Sequence, residues 1–165
     1  MSATRCTSRP CGASRGSSRL GLTHDDPRVQ RVITLFERLQ PADLLRLDAC
    51  YTEDAFFKDP FNEVRSRAAI GEIFAHMFRA LDEPRFVMRQ AVAQGDDAFL
   101  VWDMHFRMKR FDRRAQLIRG ATHLRFAPDG RVAWHRDYWD AAEELYAKLP
   151  LLGALMRWLQ RRASN

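Results

Sequence analysis

No apolar run in this sequence approaches the ~20 residues that a transmembrane helix needs, so no membrane span is predicted. Only three of the 165 residues are cysteine, and two of them, Cys6 and Cys11, lie near the N-terminus. An odd number of cysteines argues against a disulfide-stapled fold, and no cysteine or histidine spacing resembles a metal site. These absences predict a reducing, cytoplasmic setting, with no metal and no cofactor.

Acidic residues are missing from the N-terminal segment, where much of the net charge of +6 originates. Residues 1–24 contain four arginines, Arg5, Arg9, Arg15 and Arg19, and no Asp or Glu. The rest of the chain has 23 basic and 21 acidic side chains, which nearly balance. A balanced folded part gives little reason to expect a nucleic-acid partner.

Both ends of the chain differ in composition from its middle. Residues 1–24 are rich in Ser, Arg, Gly and Thr and lack apolar periodicity, which predicts a disordered tail. The same composition also resembles an organelle transit peptide, and this alternative stays open. Residues 141–165 have an apolar helical face flanked by Lys and Arg, which predicts an amphipathic extension. We expect that extension to pack on its own domain rather than on a membrane.

Residues 25–140 predict helices first and strands afterwards. Asp26 and Pro27 indicate the start of a first helix, Pro41 starts a second that includes Tyr51, and a third spans 66–81. A short strand near Phe57 precedes the third helix. Four longer strands follow at 85–93, 98–110, 115–126 and 131–139. Helices grouped before an antiparallel meander indicate one α+β domain with its helices on one face of the sheet.

Alternation in the longer strands identifies their buried faces. In the strand 98–110, the even-numbered positions are all apolar up to Met108 and include Trp102 and Met104. Such alternation is typical of a strand with one face on the core. By the same rule, the buried face of the next strand includes Gly120 and Thr122.

An aspartate stands directly before a proline in the segment Phe56-Phe57-Lys58-Asp59-Pro60-Phe61. Because proline disfavours helical geometry at the preceding residue, Asp59 is predicted to lie at the rim of a strand among phenylalanines. Desolvation against aromatic walls is one way in which a carboxylate becomes a general base. The alternative is that Asp59 only caps a turn, as Asp commonly does.

Two groups of motifs resemble one known family. The first is Tyr-x-x-Asp-Ala-x-x-x-Asp-Pro-Phe at residues 51–61. The second combines Leu-Arg-Phe at 124–126, Asp-Gly-Arg-Val at 129–132 and Asp-Tyr-Trp-Asp at 137–140. In this order and spacing they resemble the ketosteroid isomerase and SnoaL-like branch of the nuclear transport factor 2-like superfamily.

The resemblance implies a cone-shaped α+β fold and its usual surroundings. Three N-terminal helices would pack in a strongly curved antiparallel sheet around an apolar cavity, followed by a C-terminal helical extension. The outer face of the sheet would form a homodimer. The cavity would bind a small hydrophobic molecule.

The resemblance also orients the last strand, whose two faces alternation alone does not distinguish. It aligns Trp139 with an inward-facing aromatic residue of the family, which turns His135 and Asp137 inward as well. Together with Asp59, these two residues are the predicted catalytic groups, because a carboxylate and an imidazole side by side suit acid–base chemistry. The alternative is a structural pair. The predicted ligand-binding residues are Tyr51 at the cavity mouth, Phe57, Phe61, Trp102, Met104, Thr122 and Trp139.

Ketosteroid isomerase activity itself is not expected. That enzyme uses an Asp base and an oxyanion hole made by a Tyr and a protonated Asp. Asp59 matches the base, but the oxyanion positions are matched by Leu35, which cannot donate a hydrogen bond, and Thr122, a weak donor. Two functions remain: general acid/base catalysis of an isomerase, cyclase or dehydratase type, or a non-catalytic ligand-binding or dimeric assembly module.

Overall fold

The structure is a computed structural model that describes residues 22–110, 113–141 and 162. These residues form α1 (Pro27–Arg38), a 3₁₀ helix (Pro41–Ala49), α2 (Arg67–Ala80) and a single six-stranded sheet. The strands are β1 (Tyr51–Lys58), β2 (Glu63–Arg65), β3 (Leu81–Gln94), β4 (Asp97–Met108), β5 (Gln116–Phe126) and β6 (Val132–Tyr138). The α+β class is confirmed. The predicted tail and nearly all of the predicted C-terminal extension lie outside the described residues.

The two α-helices begin at the residues that the sequence predicts. The Asp26 carboxylate accepts a hydrogen bond from the backbone N–H of Arg28 at 2.8 Å, and Pro27 occupies the first turn of α1. The Ser66 hydroxyl caps α2 by accepting from the N–H of Ala69 at 3.1 Å. Each cap satisfies a donor that the helix itself leaves unpaired.

The second helix is shorter than predicted. It is a 3₁₀ helix that ends at Ala49, so Tyr51 lies on β1 and not on a helix. The backbone N–H of Val132 donates to the Cys50 carbonyl at 2.7 Å, and Tyr51 pairs with Val132 in the sheet. Pairing with the last strand overrides the local helical pattern, because helix propensity is a weak preference.

The sheet is mixed, whereas an entirely antiparallel sheet was predicted. Strand order is β2-β1-β6-β5-β4-β3, and the β3–β6 meander is antiparallel as expected. The difference is at β1, which pairs in parallel with β6 and antiparallel with β2. The local pattern indicates that β1 is a strand, but its partner is distant in the chain and sets the direction of pairing.

Register shifts bend the sheet around the helices. They occur twice within β3, between Asp82 and Arg85 and between Met88 and Gln90, and again where β5 pairs with β6. Such bulges increase the local twist and bend of a sheet. The inner face of β4 is buried in the predicted alternation, including Leu100, Trp102 and Met104.

The outer face of the sheet exposes several apolar side chains. Val92, Phe99 and Val101 are 62%, 47% and 42% exposed, respectively. This is the face through which the resemblance predicts a homodimer, and the dimer stays a prediction. Phe56 also lies on the outer face, where its ring stacks on Trp134 at 4.2 Å, so it does not surround Asp59 as expected.

Candidate active site

A cavity of about 470 Å³ lies between α2 and the inner face of the sheet. Apolar side chains of α2, β3, β4 and β5 make up most of its wall. The predicted ligand-binding residues that line it are Phe57, Phe61, Trp102, Met104 and Trp139. Two predicted catalytic residues, Asp59 and Asp137, line it as well. An apolar cavity with a few polar groups is the usual form of a small-molecule site.

Four hydrogen bonds form a continuous chain beside this cavity. The indole N–H of Trp102 donates to Thr122 Oγ1 at 2.8 Å, and the Thr122 hydroxyl donates to Asp137 Oδ1 at 2.5 Å. The same Asp137 oxygen lies 2.9 Å from His135 Nε2. On the other side of the imidazole, the Tyr51 hydroxyl lies 2.7 Å from His135 Nδ1.

The buried tyrosine assigns the tautomer of the histidine. Burial, with the nearby Asp137 carboxylate as a smaller cause, holds the pKa of Tyr51 well above its ordinary value. Its hydroxyl is therefore protonated. Because a carboxylate can only accept, the imidazole N–H is assigned to Nε2, and the Tyr51 hydroxyl donates to the unprotonated Nδ1 of His135. Nε2 then carries the imidazole proton and donates it to Asp137.

Asp137 lies in the cavity wall, and the described residues engage only one of its carboxylate oxygens. Oδ1 accepts the hydrogen bonds from Thr122 and His135, while Oδ2 has no hydrogen-bond partner in the described part of the chain. The Asp137 side chain is 17% exposed, which agrees with its place in the cavity wall. The carboxylate is thus fixed in orientation with one oxygen available to a bound molecule.

Asp59 is held differently, by the turn that follows it. Its Oδ1 accepts from the backbone N–H groups of Phe61 and Asn62 at 2.7 and 2.6 Å. The side-chain amide of Asn62 donates to both carboxylate oxygens. This pattern is that of an Asp-capped turn, the alternative considered from the sequence. A catalytic role for Asp59 stays a prediction, with its oxygens largely occupied.

Three predicted site residues lie elsewhere than in the main cavity. Tyr51 is fully buried behind His135, so its predicted place at the cavity mouth is wrong. His135 and Thr122 face a small inner recess of about 20 Å³, which Asp137 also lines. The inward orientation of His135, taken from the family resemblance, agrees with its 2% exposure.

The sequence did not indicate two features of this site. It did not place Tyr51 against His135, because the two residues belong to strands that pair over a long sequence separation. It also left the basic residues His76, Arg79, Lys109 and Arg110 out of the cavity wall, which they line. Their pattern offered a signal, since two of them are three residues apart on α2 and two follow β4 directly.

Within residues 22–110, 113–141 and 162, no group of three or more His, Cys, Asp and Glu side chains could hold a metal ion. In the same part of the chain, no helix combines the length and the apolar character needed to cross a bilayer.

Solved structures with the same fold come from proteins of different kinds. A hypothetical protein with a ketosteroid isomerase-like fold from Catenulispora acidiphila DSM 44928, in complex with trimethylamine, superposes with a TM-score of 0.64 at 17% identity, covering 76% of this chain and 95% of the other. A protein from Shewanella denitrificans OS-217 that is assigned to the SnoaL-like polyketide cyclases gives 0.61 at 19% identity, with coverages of 73% and 98%. An LEH-like epoxide hydrolase from M. tuberculosis gives 0.59 at 16% identity, with coverages of 71% and 85%.

These similarities show the fold, and the sequence itself identifies the family. No functionally curated protein matches the sequence. The sequence profile of the SnoaL-like domain matches residues 32–135, which run from α1 to the buried histidine of β6. This match covers more than half of the chain, and the protein therefore belongs to the SnoaL-like domain family.

Proposed function

We propose that this protein is an acid–base enzyme that acts on a small, mostly apolar molecule bearing a carbonyl or hydroxyl group. The reaction class is proton abstraction next to a carbonyl, as an isomerase, cyclase or dehydratase requires. The observation that carries the proposal is the carboxylate of Asp137 in the wall of an apolar cavity, with Oδ1 held by two donors and Oδ2 unpaired among the described residues. Its setting is the predicted cytoplasmic one.

In this proposal Asp137 is the general base, a role that the sequence analysis gave first to Asp59. Asp137 has an oxygen free to accept a proton, whereas the Asp59 oxygens accept hydrogen bonds from their own turn. A base must come within hydrogen-bond distance of the proton that it removes. Because Asp137 lines the cavity, we assign this role to its unpaired oxygen.

His135 and Tyr51 support the base without touching the substrate. The imidazole donates to Asp137 Oδ1, and the Tyr51 hydroxyl keeps the imidazole in the tautomer that can donate. Thr122 supplies the second hydrogen bond to the same oxygen. Together these hydrogen bonds fix the orientation of the Asp137 carboxylate, and a fixed orientation of the base relative to the substrate favours catalysis.

Solvent hydrogen exchange tests this proposal without knowledge of the natural substrate. Cyclohexanone and 2-tetralone in deuterated buffer would be incubated with the protein, and loss of the α-proton signals would be followed by NMR. The wild-type protein is expected to accelerate exchange, and Asp137→Asn to slow it by ~10²-fold or more, the usual contribution of a general base.

The matched control is Asp59→Asn, which removes the other carboxylate that lines the cavity. It is expected to retain exchange activity. If Asp59→Asn abolishes exchange and Asp137→Asn does not, the base is Asp59 and the assignment to Asp137 is wrong. If the wild-type protein does not accelerate exchange of either ketone, proton abstraction from such ketones is contradicted.

A specific observation favours the second candidate, a non-catalytic ligand-binding module. Thr122, at a position where ketosteroid isomerase has an oxyanion donor, gives its only hydroxyl proton to Asp137. Leu35, at the other such position, has no donor at all. A binding module would raise its melting temperature with ligand, and Asp137→Asn would bind that ligand equally well.

A further inference from the structure

One end of the cavity is basic. His76 and Arg79 reach it from α2, and Lys109 and Arg110 reach it from the chain directly after β4. The two segments are adjacent, because the backbone N–H of Lys109 donates to the Ala80 carbonyl at 3.3 Å. Basic side chains from two separate elements therefore lie close together in a mostly apolar wall.

Two of these four basic side chains have no partner among the described residues. Lys109 Nζ donates to the Phe78 carbonyl at 2.9 Å and lies 3.8 Å from an Asp82 oxygen. In contrast, the guanidinium groups of Arg79 and Arg110 make no hydrogen bond or ion pair in the described part of the chain. They are the groups available to an anion.

The acidic residues of the cavity do not neutralise this end. Among the described residues that line it, Asp59 and Asp137 are the only acids. Asp59 is bonded to its own turn, and Asp137 is bonded to Thr122 and His135. Asp137 lies near Trp102 in the middle of β4, whereas Arg110 follows the end of that strand.

We propose that Arg79 and Arg110 bind the carboxylate of an elongated, otherwise apolar organic acid whose other end approaches Asp137. Guanidinium groups suit this role because they form paired hydrogen bonds with carboxylates. The inference rests on the proposed function only in that it names the substrate class of the same cavity. Anion binding itself is measured without catalysis.

Two fluorescent probes separate the anionic contact from the apolar one. The sulfonate dye 1-anilinonaphthalene-8-sulfonate and neutral N-phenyl-1-naphthylamine share the same aromatic body and differ in the anionic group. Arg79→Gln and Arg110→Gln are each expected to lower the affinity for the sulfonate dye about fivefold, as for exposed charge pairs. Neither variant should change the affinity for the neutral dye. Raised ionic strength should lower the affinity for the sulfonate dye only.

The control variants test whether Arg79 acts through the dipole of α2 and not through a bound anion. Arg79 lies in the last turn of α2, where a cation also favours the helix dipole. Arg38 likewise lies in the last turn of its helix, α1, and does not line the cavity, so Arg38→Gln should change neither affinity. Arg110→Lys keeps the charge and should retain most of the affinity for the sulfonate dye.

The outcomes distinguish this inference from the proposed function. If both dyes bind and the Arg79 and Arg110 variants bind the sulfonate dye as tightly as wild type, the anion site is wrong and the apolar pocket stands. If neither dye binds, the pocket is absent and both proposals are overturned. Competition by decanoate but not by decanol would support the carboxylate specifically.

Discussion

The hydroxyl of Tyr51 lies 2.7 Å from Nδ1 of His135, and both side chains are almost completely buried. Their strands, β1 and β6, pair in parallel although they are distant in sequence. The contact connects the hydrophobic core to the carboxylate that faces the cavity, because His135 also donates to Asp137. The Tyr51–His135 hydrogen bond thus contributes both to the stability of the fold and to the geometry of the candidate site.

Replacing Tyr51 by Phe should destabilise the fold. The change removes the donor and leaves the buried Nδ1 of His135 unsatisfied, which costs about 1–3 kcal/mol of unfolding free energy. Urea denaturation measures the difference. Tyr138→Phe is the control, because Tyr138 is 48% exposed, and it should change the free energy little. Equal stability of wild type and Tyr51→Phe would contradict the contact.

Gly120 should not tolerate a methyl group. A Cβ at this position would lie 2.4 Å from two ring atoms of Trp102, closer than real contacts allow. Gly120→Ala must displace the buried indole and should cost about 1–3 kcal/mol, as overpacking does. Gly71→Ala is the control, since its Cβ would lie 3.6 Å from Leu47 and alanine favours the helix.

Thermal unfolding should therefore distinguish the two glycine variants. Gly120→Ala should lower the melting temperature, and Gly71→Ala should leave it unchanged or raise it. The Trp102 fluorescence of Gly120→Ala should also shift if the indole loses its hydrogen bond to Thr122. An unchanged melting temperature for Gly120→Ala would contradict the close packing of Trp102 against Gly120.

Asp59→Asn distinguishes a turn residue from a catalytic one. If the carboxylate stabilises the 59–62 turn, the variant should lose about 1–2 kcal/mol of unfolding free energy. A desolvated catalytic carboxylate would instead give a neutral or stabilising change. Chemical denaturation separates the two, with Asp54→Asn as the control, because Asp54 is an exposed residue of β1. A clear gain in stability would contradict the turn interpretation.

The N-cap of α1 predicts an acid-sensitive contribution to stability. The hydrogen bond from the Arg28 side chain is the main cause that lowers the pKa of Asp26 from 3.8 to about 2. Because the folded-state pKa is the lower one, this stabilisation is present above about pH 4 and is lost as the pH falls through about 2.

Asp26→Ala should therefore cost about 1 kcal/mol at pH 7, and the difference from wild type should shrink as the pH approaches 2. Asp25→Ala, next to the cap and without a hydrogen bond among the described residues, should have little effect at either pH. Urea denaturation across this range provides the measurement. A difference that does not change with pH would exclude the ionised cap as its cause.

Dimerisation through the outer face of the sheet is the last prediction. Val101 is 42% exposed there, between Phe99 and the polar end of β4. We expect the wild-type protein to sediment as a dimer and Val101→Glu to sediment as a monomer, because a buried unpaired charge opposes association. Leu45→Glu is the control: Leu45 is 90% exposed on the 3₁₀ helix, away from the sheet. A monomeric wild-type protein would contradict the prediction.

Elements with local signals were predictable from the amino-acid sequence alone. Asp26 and Ser66 are caps that satisfy helix ends within three residues, so α1 and α2 begin where predicted. The alternation of β4 identified its buried face, because side chains on a strand alternate between two environments. The motif resemblance identified the family and the inward orientation of His135.

Which of the site side chains contact one another depends on the tertiary structure. Tyr51 left the predicted helix because its backbone pairs with β6, and that pairing placed its hydroxyl against His135. In the same fold, Asp59 accepts hydrogen bonds from its own turn, whereas one oxygen of Asp137 has no partner among the described residues. Hydrogen bonds between strands far apart in the chain depend on sheet register, which no local pattern of residues contains.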